Sequence, residues 1–405
     1  RLPRMSLLRR VFPALSEPAL RRYLTGQGVS VLGSWTQNIT LNLVVYHLSG
    51  SAAVLALLNF LLYGPLLVVP PVAGARINMG NARRVTLSVL YTSMAVACTL
   101  ALLSLLHALV LPVILLLALC AGILSAIESP ARQVLLITGL QDPALRPNAI
   151  AMNTMVYNVG RMVGPSLAAV IYPLLGQVAA FLTYAFALVF MAWCVRSMPR
   201  RPGQAEAPAR GRQGLRNALS YVIDDHFTAK YLTILACMGL FAGSYQTLVP
   251  LLADHAFQDA AKYTGVFFAC AGMGALSAAV VLSSAIAART ARLLPVAPWA
   301  ACLALAVLSV SSSVALSGAA FVALGFSLSF SATSTNATIQ RRCPESVRGA
   351  LVGLYGMAYN GTMPFGYLLV GSISEAFSVT GAFATMAAVL AACIGLVTAL
   401  YWRKA

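Results

Sequence analysis

Stretches of about twenty residues with almost no charge recur from one end of this chain to the other, and no other feature limits its folding as strongly. A helix rising 1.5 Å per residue needs about twenty apolar residues to cross a hydrocarbon layer roughly 30 Å thick. The composition fits that reading: 60% of the 405 residues are hydrophobic and 9% are charged. Hydrocarbon offers no water to unpaired backbone groups, so runs of this length cross as helices. The expected fold class is therefore an all-α membrane protein. Charged clusters and Gly/Pro breaks predict twelve transmembrane helices at 24–47, 52–75, 85–107, 110–137, 148–173, 177–197, 229–253, 263–287, 293–312, 315–340, 349–375 and 378–401.

A net charge of +17 invites a nucleic-acid reading, but the 27 basic residues alternate from loop to loop. One set of loops carries Arg1, Arg4, Arg9, Arg10, Arg21 and Arg22, then Arg76, Arg83 and Arg84, then Arg200, Arg201, Arg210, Arg212 and Arg216. The same side receives Arg289 and Arg292, Arg341, Arg342 and Arg348, and the final Arg403 and Lys404. The opposite loops hold almost none, Lys262 beside Asp254 and Asp259 being the exception. This asymmetry orients a membrane protein with both termini cytoplasmic. The charge then serves topology and contact with anionic membrane lipids, and no nucleic-acid partner is expected. The first apolar stretch lacks a small-residue cleavage site and exceeds a signal core in length, so it is expected to remain as a span. All eight cysteines lie within or at the edge of spans without metal-ligand spacing, so neither disulfides nor a metal site is expected.

The chain repeats itself at half length. Arg146 precedes Tyr157-Asn158 as Arg348 precedes Tyr359-Asn360, with an offset of 202 in both cases. Arg22-Tyr23-Leu24-Thr25 ahead of the first span is echoed by Lys230-Tyr231-Leu232-Thr233 ahead of the seventh. The expected organisation is two pseudo-symmetric six-helix bundles, 1–197 and 226–405, joined by a cytoplasmic linker at 198–225. Duplicated halves with a site between them near the midplane are a transporter plan.

Polar residues inside the spans mark the candidate cavity, because an amide facing lipid is costly. Gln27, Ser30, Ser34, Asn38 and Asn42 recur at spacings of 3, 4, 4 and 4, along one face of the first span. Asn59 and Tyr63, Tyr245 and Gln246, Ser331 and Thr335, and Tyr359 and Asn360 add substrate-binding candidates from later spans. The alternative for each is a hydrogen bond between neighbouring helices. In the fifth span Thr154, Tyr157, Asn158 and Arg161 share a face, with Gly160 and Gly164 on its flank and Pro165 after them. An arginine at mid-membrane is expensive. Arg161 has no counterpart in the repeat, where Met363 stands. Two readings are open for it: a guanidinium awaiting an anionic oxygen of the cargo, or a bridge to groups on a neighbouring helix.

The segments Arg21–Asn38, Leu43–Ser51, Glu128–Gln133, Pro147–Pro165 and Pro344–Gly349 resemble the major facilitator superfamily. Within it they resemble the transmembrane secretion effector branch, which includes enterobactin-type siderophore exporters and macrolide efflux proteins. The resemblance implies that Gly160, Gly164 and Pro165 form the antiporter motif of exporters and that Gly74, Asn78 and Arg83 belong to the superfamily's gating loop. Asn78 stands where an aspartate is usual in that loop, which argues against a pH-sensitive relay there; Asn78 is instead suited to capping a helix.

Glu128 is the sole carboxylate well inside a span of the first half and the candidate proton carrier, with Glu375, near the outer end of the eleventh span, and Asp254 as weaker candidates. Its alternative is a structural i, i+4 pair with Arg132. No phosphate-binding loop occurs, so a gradient rather than ATP supplies the work. No H-E-x-x-H, paired membrane aspartates or serine-histidine set supports an enzyme. The expected function is a monomeric secondary transporter without cofactor, an antiporter exchanging protons for a small polar metabolite such as a siderophore at the bacterial inner membrane. Multidrug or macrolide efflux and import of a ferric chelate or nutrient are the alternatives within the fold, and a sensor is one outside transport.

Overall fold

The computed structural model describes residues 16–74, 76–78, 80–140, 142, 145–198, 211–283 and 291–402. The expected linker core at 199–210 and the basic residues Arg1, Arg4, Arg9, Arg10, Arg289, Arg403 and Lys404 lie outside them. Among the described residues there is no strand. The helices are α1 (Pro18–Ser49), α2 (Ala52–Tyr63), α3 (Pro65–Gly74), α4 (Ala82–Leu105), α5 (Leu111–Thr138), α6 (Arg146–Arg196), α7 (Gly211–Asp224) and α8 (His226–Cys237). They continue with α9 (Val249–Phe257), α10 (Ala260–Ser283), α11 (Ala297–Val310), α12 (Val314–Arg342), α13 (Glu345–Tyr359), α14 (Met363–Phe377) and α15 (Val379–Trp402).

Among the described residues every expected span is mainly helical, the eighth being described only as far as Ser283. The breaks have local causes. Gly64 followed by Pro65 separates α2 from α3. The fifth and sixth spans form one run, α6, bent where Gly176 adopts φ 80°. A side chain rarely tolerates that backbone, and a glycine does. Between α8 and α9 the helix widens to a π turn at Met238–Ala242 and tightens to a 3-10 turn at Gly243–Thr247. Among the described residues eight stretches are long and apolar enough to cross a membrane. The first, fifth, ninth and eleventh spans fall short: α11 has 14 residues, α13 and α14 are separated around Asn360, and α1 and the first part of α6 carry amides or arginine. Three of those four are spans on which the sequence places cavity residues.

Close packing divides the described chain into two units, one of residues up to Leu41 with Val68–Ala207, the other of Asn42–Leu67 with Pro208–Ala405. In the first unit α1 is gripped on two faces through glycines. A Cβ on Gly26 would strike Met191 and Cys194, and one on Gly33 would strike Ala187 and Tyr184, all on the second part of α6. On the other face a Cβ on Gly160 would collide with Val31, and one on Gly164 with Trp35. Small residues let membrane helices approach until dispersion contacts supply the association energy. Around this seam Leu20, Tyr23, Leu24, Leu90, Leu136, Leu188 and Met191 form a buried core.

In the second unit α2 lies against α14. The missing side chain of Gly371 admits Ala56, Phe60 meets Phe365 edge-on at 6.0 Å, and Tyr63 meets Tyr367 at 5.6 Å. Gly274 of α10 and Gly325 of α12 each face backbone of the other helix, so these two run in main-chain contact. The amphipathic α7 seats Ala218 in a core with Leu232, Ile339 and Leu351. Asp225 then caps α8 by accepting from the Thr228 N–H at 3.2 Å.

Replacing Gly164 with leucine forces the α1–α6 seam apart, and overpacking of this kind costs about 1–3 kcal/mol. Thermal unfolding of the detergent-purified protein is expected to show a lowered Tm for Gly164→Leu. At Gly74 a Cβ would find its nearest neighbour, Pro130, at 3.9 Å, so Gly74→Ala is expected to melt as the parent does.

Candidate functional site

The most polar buried place in the first unit centres on Arg132, which is only 5% exposed. Helix α5 carries Glu128 one turn before it, and Pro130 lies between the two. Proline has no N–H to give the carbonyl four residues back, so the helix is weakened at the turn that bears both charges. Arg132 Nη2 pairs with Glu128 Oε1 and donates to Ser30 Oγ at 2.9 Å, while Nη1 donates to Gln27 Oε1 at 2.6 Å. The Tyr23 hydroxyl donates to the Arg132 carbonyl at 3.3 Å. Tyr157, 43% exposed as a residue, places its phenol beside Gln27 and Arg132. Arg132 Nε and Gln27 Nε2 are buried and have no acceptor in hydrogen-bonding geometry among the described residues.

The reason for this assembly is the cost of a buried charge. A guanidinium taken out of water needs a counter-charge and acceptors for its remaining donors, and the pair by itself contributes little net stability. Chemically the cluster offers a carboxylate that accepts, two N–H groups still able to donate, and a phenol at the edge. The carboxylate side of the pair is also close to water-accessible space: the Glu128 side chain is 12% exposed against 6% for Arg132.

The expected stripe on α1 is thus divided among different partners. Gln27 and Ser30 serve Arg132. Ser34 donates to its own helix at Val31 O, 2.8 Å away, and Asn38 is half-buried. Asn42, in the second unit, accepts from Asn59 Nδ2 at 2.8 Å. The structure brings these two together in a helix–helix bond of the kind weighed as the alternative to a cavity role.

In the second unit the Tyr63 ring lies tilted against Tyr367, whose hydroxyl is 3.5 Å from Gln246 Oε1. Tyr245 is buried between Phe268 and Phe321. Ser331 and Thr335 are buried on α12, and the Ser331 hydroxyl has no partner among the described residues. Tyr359 is buried and Asn360 exposed at the end of α13. Thr362 there donates towards Ala236 O at 3.1 Å, tying the break between α13 and α14 to the end of α8.

The expected conformational residues fall into three sets. Gly160 and Gly164 line the α1 seam, whereas the side chains of Thr154, Asn158, Arg161 and Pro165 lie outside the described residues. Asn78 and Asn81 bond reciprocally: the Asn78 side chain accepts from the Gly80 and Asn81 N–H groups at 3.0 Å, and Asn81 accepts from the Asn78 N–H at 2.8 Å. This pair shapes the chain into α4, a local role needing no carboxylate. Arg83 donates to the carbonyls of Arg196 and Met198, and Arg22 to that of Ser197 at 3.2 Å. These are last-turn carbonyls of α6 and the residues after it, where a helix concentrates partial negative charge.

Three sets of contacts made by Arg132, Asp254 and Glu375 have no sequence signal, although the residues themselves are visible as candidates. Arg132 was readable as the i, i+4 partner of Glu128, but its bonds to Gln27 and Ser30, over a hundred residues away, leave no sequence signal. Asp254 accepts from the Tyr46 hydroxyl at 2.6 Å. Glu375 accepts from the Ser51 hydroxyl and from the Ala53 N–H, at the first turn of α2. The two carboxylates therefore hold the end of α1 and the start of α2 within the second unit.

Comparison with known proteins gives these features a family. The staphyloferrin A transporter of Staphylococcus aureus (strain NCTC 8325 / PS 47) is 25% identical over 382 residues, covering 92% of this chain and 94% of that protein. Among solved structures, the nucleoside transporter NupG superposes with a TM-score of 0.74 at 12% identity, covering 95% of this chain and 99% of that one. A bacterial homologue of the iron transporter ferroportin gives 0.67 at 15% identity, covering 98% and 99%. At such identities these two likenesses speak for the fold alone. The model of the transmembrane secretion effector family matches residues 11–404. With that match over nearly its whole length, the chain belongs to the transmembrane secretion effector family of the major facilitator superfamily, and it is a multi-pass secondary transporter rather than an enzyme.

Proposed function

We propose that this transporter exports a small polar metabolite of siderophore type from the cytoplasm in exchange for protons, as a monomer in a bacterial inner membrane with both termini cytoplasmic. In this reading its halves, 1–197 and 226–405, alternate access about a central site, joined by the linker 198–225. The observation that carries it is the buried cluster of Glu128, Arg132, Gln27 and Ser30. Likeness to a staphyloferrin A transporter supports the cargo class, and the close glycine seam at Gly160 and Gly164 supports the exporter direction.

Exchange requires that proton and cargo exclude one another. Ionised Glu128 accepts a hydrogen bond from Arg132 and has lone pairs left for a hydroxyl or amide N–H of the cargo. A proton arriving from outside occupies the same oxygen, removes the acceptor and releases the cargo. Losing that proton to the cytoplasm restores the carboxylate for the next molecule. One charge moved through 100 mV supplies about 2.3 kcal/mol, enough for a concentration ratio on the order of fiftyfold to which a pH difference adds.

Uptake into inside-out vesicles tests the reading, with iron-free hydroxamate and catecholate siderophores and cationic drugs offered with and without an imposed proton gradient. Gradient-dependent accumulation of the siderophores is expected. Accumulation of the drugs alone overturns the cargo class in favour of multidrug efflux. Glu128→Gln, the neutral counterpart of the protonated acid, is expected to weaken cargo binding and to lose at least about tenfold of the gradient-driven uptake; an unchanged pH dependence removes Glu128 as carrier. Arg161→Ala is expected to abolish export of an anionic cargo in a protein that still folds, and full activity would mean that Arg161 does not hold it. Arg132→Met leaves a buried carboxylate without its cation, a loss of about 3–5 kcal/mol that thermal unfolding reports, and adding Glu128→Gln is expected to recover most of it.

A further inference from the structure

Where α1 begins, Arg21, Arg22 and Thr25 face Phe190, Trp193 and Cys194 of α6 across a groove of about 360 Å³. Its two walls differ in chemistry. On one, Arg22 is held in place by its bond to the Ser197 carbonyl at 3.2 Å, and the Thr25 hydroxyl donates to Arg21 O at 2.9 Å. The Arg21 guanidinium is exposed and has neither a carboxylate nor a hydrogen-bond partner among the described residues. On the other wall, Trp193 is 60% exposed and stacks on Phe190 with ring centroids 5.8 Å apart. The floor is closed by the α1–α6 contact at Gly26 against Met191 and Cys194.

We propose that this groove binds one anionic phospholipid, its phosphate between Arg21 and Arg22 and the upper part of an acyl chain against Trp193 and Phe190. Charge complementarity selects the headgroup: two adjacent guanidinium groups and no acidic residue line the groove. The exposed stacked aromatic pair selects a lipid over a free phosphate, because a soluble anion has nothing to place on it and an amphipathic ring prefers the headgroup level. The cargo is an unsuitable occupant for the same reason. The proposal rests on the cytoplasmic orientation of α1 only for which leaflet supplies the lipid, the inner leaflet being the anionic one.

The full-length protein in nanodiscs tests it. Trp193 fluorescence, isolated as the difference between the parent and Trp193→Phe, is quenched by phosphatidylglycerol or phosphatidylcholine brominated in the acyl chain, each diluted in plain phosphatidylcholine. Brominated phosphatidylglycerol is expected to quench several times more strongly at equal mole fraction. Arg21→Gln, which spares the Arg22 bond to Ser197, is expected to cut that preference about fivefold, the equivalent of about 1 kcal/mol per basic residue near an anionic surface. Millimolar glycerol phosphate should leave the quenching unchanged. Equal quenching by the two lipids, or an unaltered preference in Arg21→Gln, overturns the lipid site; displacement by glycerol phosphate reassigns the arginines to a soluble phosphate. Orientation is read separately: added labelling of Ser16→Cys by an impermeant maleimide from outside intact cells overturns the inner-leaflet reading and leaves the nanodisc result standing.

Discussion

Keeping one guanidinium charged inside a low-dielectric bundle is the demand around which the first unit is arranged. Arg132 is nearly buried, and each partner it uses comes at a structural cost elsewhere. Glu128 must be one turn away on a helix interrupted by Pro130, and Gln27 and Ser30 must be brought up on α1. Such proximity is possible because α1 and α6 meet through glycines, with Gly26 and Gly33 on one side and Gly160 and Gly164 on the other. The packing motif and the polar cluster are therefore two aspects of one arrangement: without the close seam, the amides on α1 would not be held where the arginine needs them.

The second unit uses its polar groups differently. Its carboxylates Asp254 and Glu375 take hydroxyls and a backbone N–H from the last turn of α1 and the start of α2. Its spans are interrupted where polar residues gather: the π and 3-10 turns before α9 lead to Tyr245 and Gln246, and the gap after α13 holds Asn360 and Thr362. A π turn inserts a residue and frees carbonyls, which water or a ligand can then meet, and such turns concentrate at functional positions.

Much of the fold is legible in the chain because membrane helices announce themselves by length and apolarity. The bend at Gly176 and the break at Gly64-Pro65 likewise follow from residue types that end helices. The candidate site is legible in kind more than in detail. The spacing of Gln27, Ser30 and Asn42 marks a polar face of α1, but periodicity does not say which neighbour each side chain meets. Gln27 and Ser30 meet Arg132, while Asn42 meets Asn59. Asp254 and Glu375 look like ordinary span-end acids until folding brings Tyr46 and Ser51 to them. Asn78 shows the reverse case, since its bonds to the Gly80 and Asn81 N–H groups ahead of α4 are local and need only the residues beside it.

Arg132 Nε and Gln27 Nε2 are buried donors with no acceptor in hydrogen-bonding geometry among the described residues, which bears on selectivity in the proposed function. In an open site, water can satisfy both. A molecule that displaces that water without offering oxygen or nitrogen lone pairs strands two N–H groups, at about 1–3 kcal/mol each. Exclusion of this kind is far steeper than the preference gained from an extra methylene, because it penalises the wrong visitor instead of rewarding the right one. Under the proposed function this disfavours greasy aromatic compounds at the cluster however well they partition into the membrane, and oxygen-rich chelators escape the penalty.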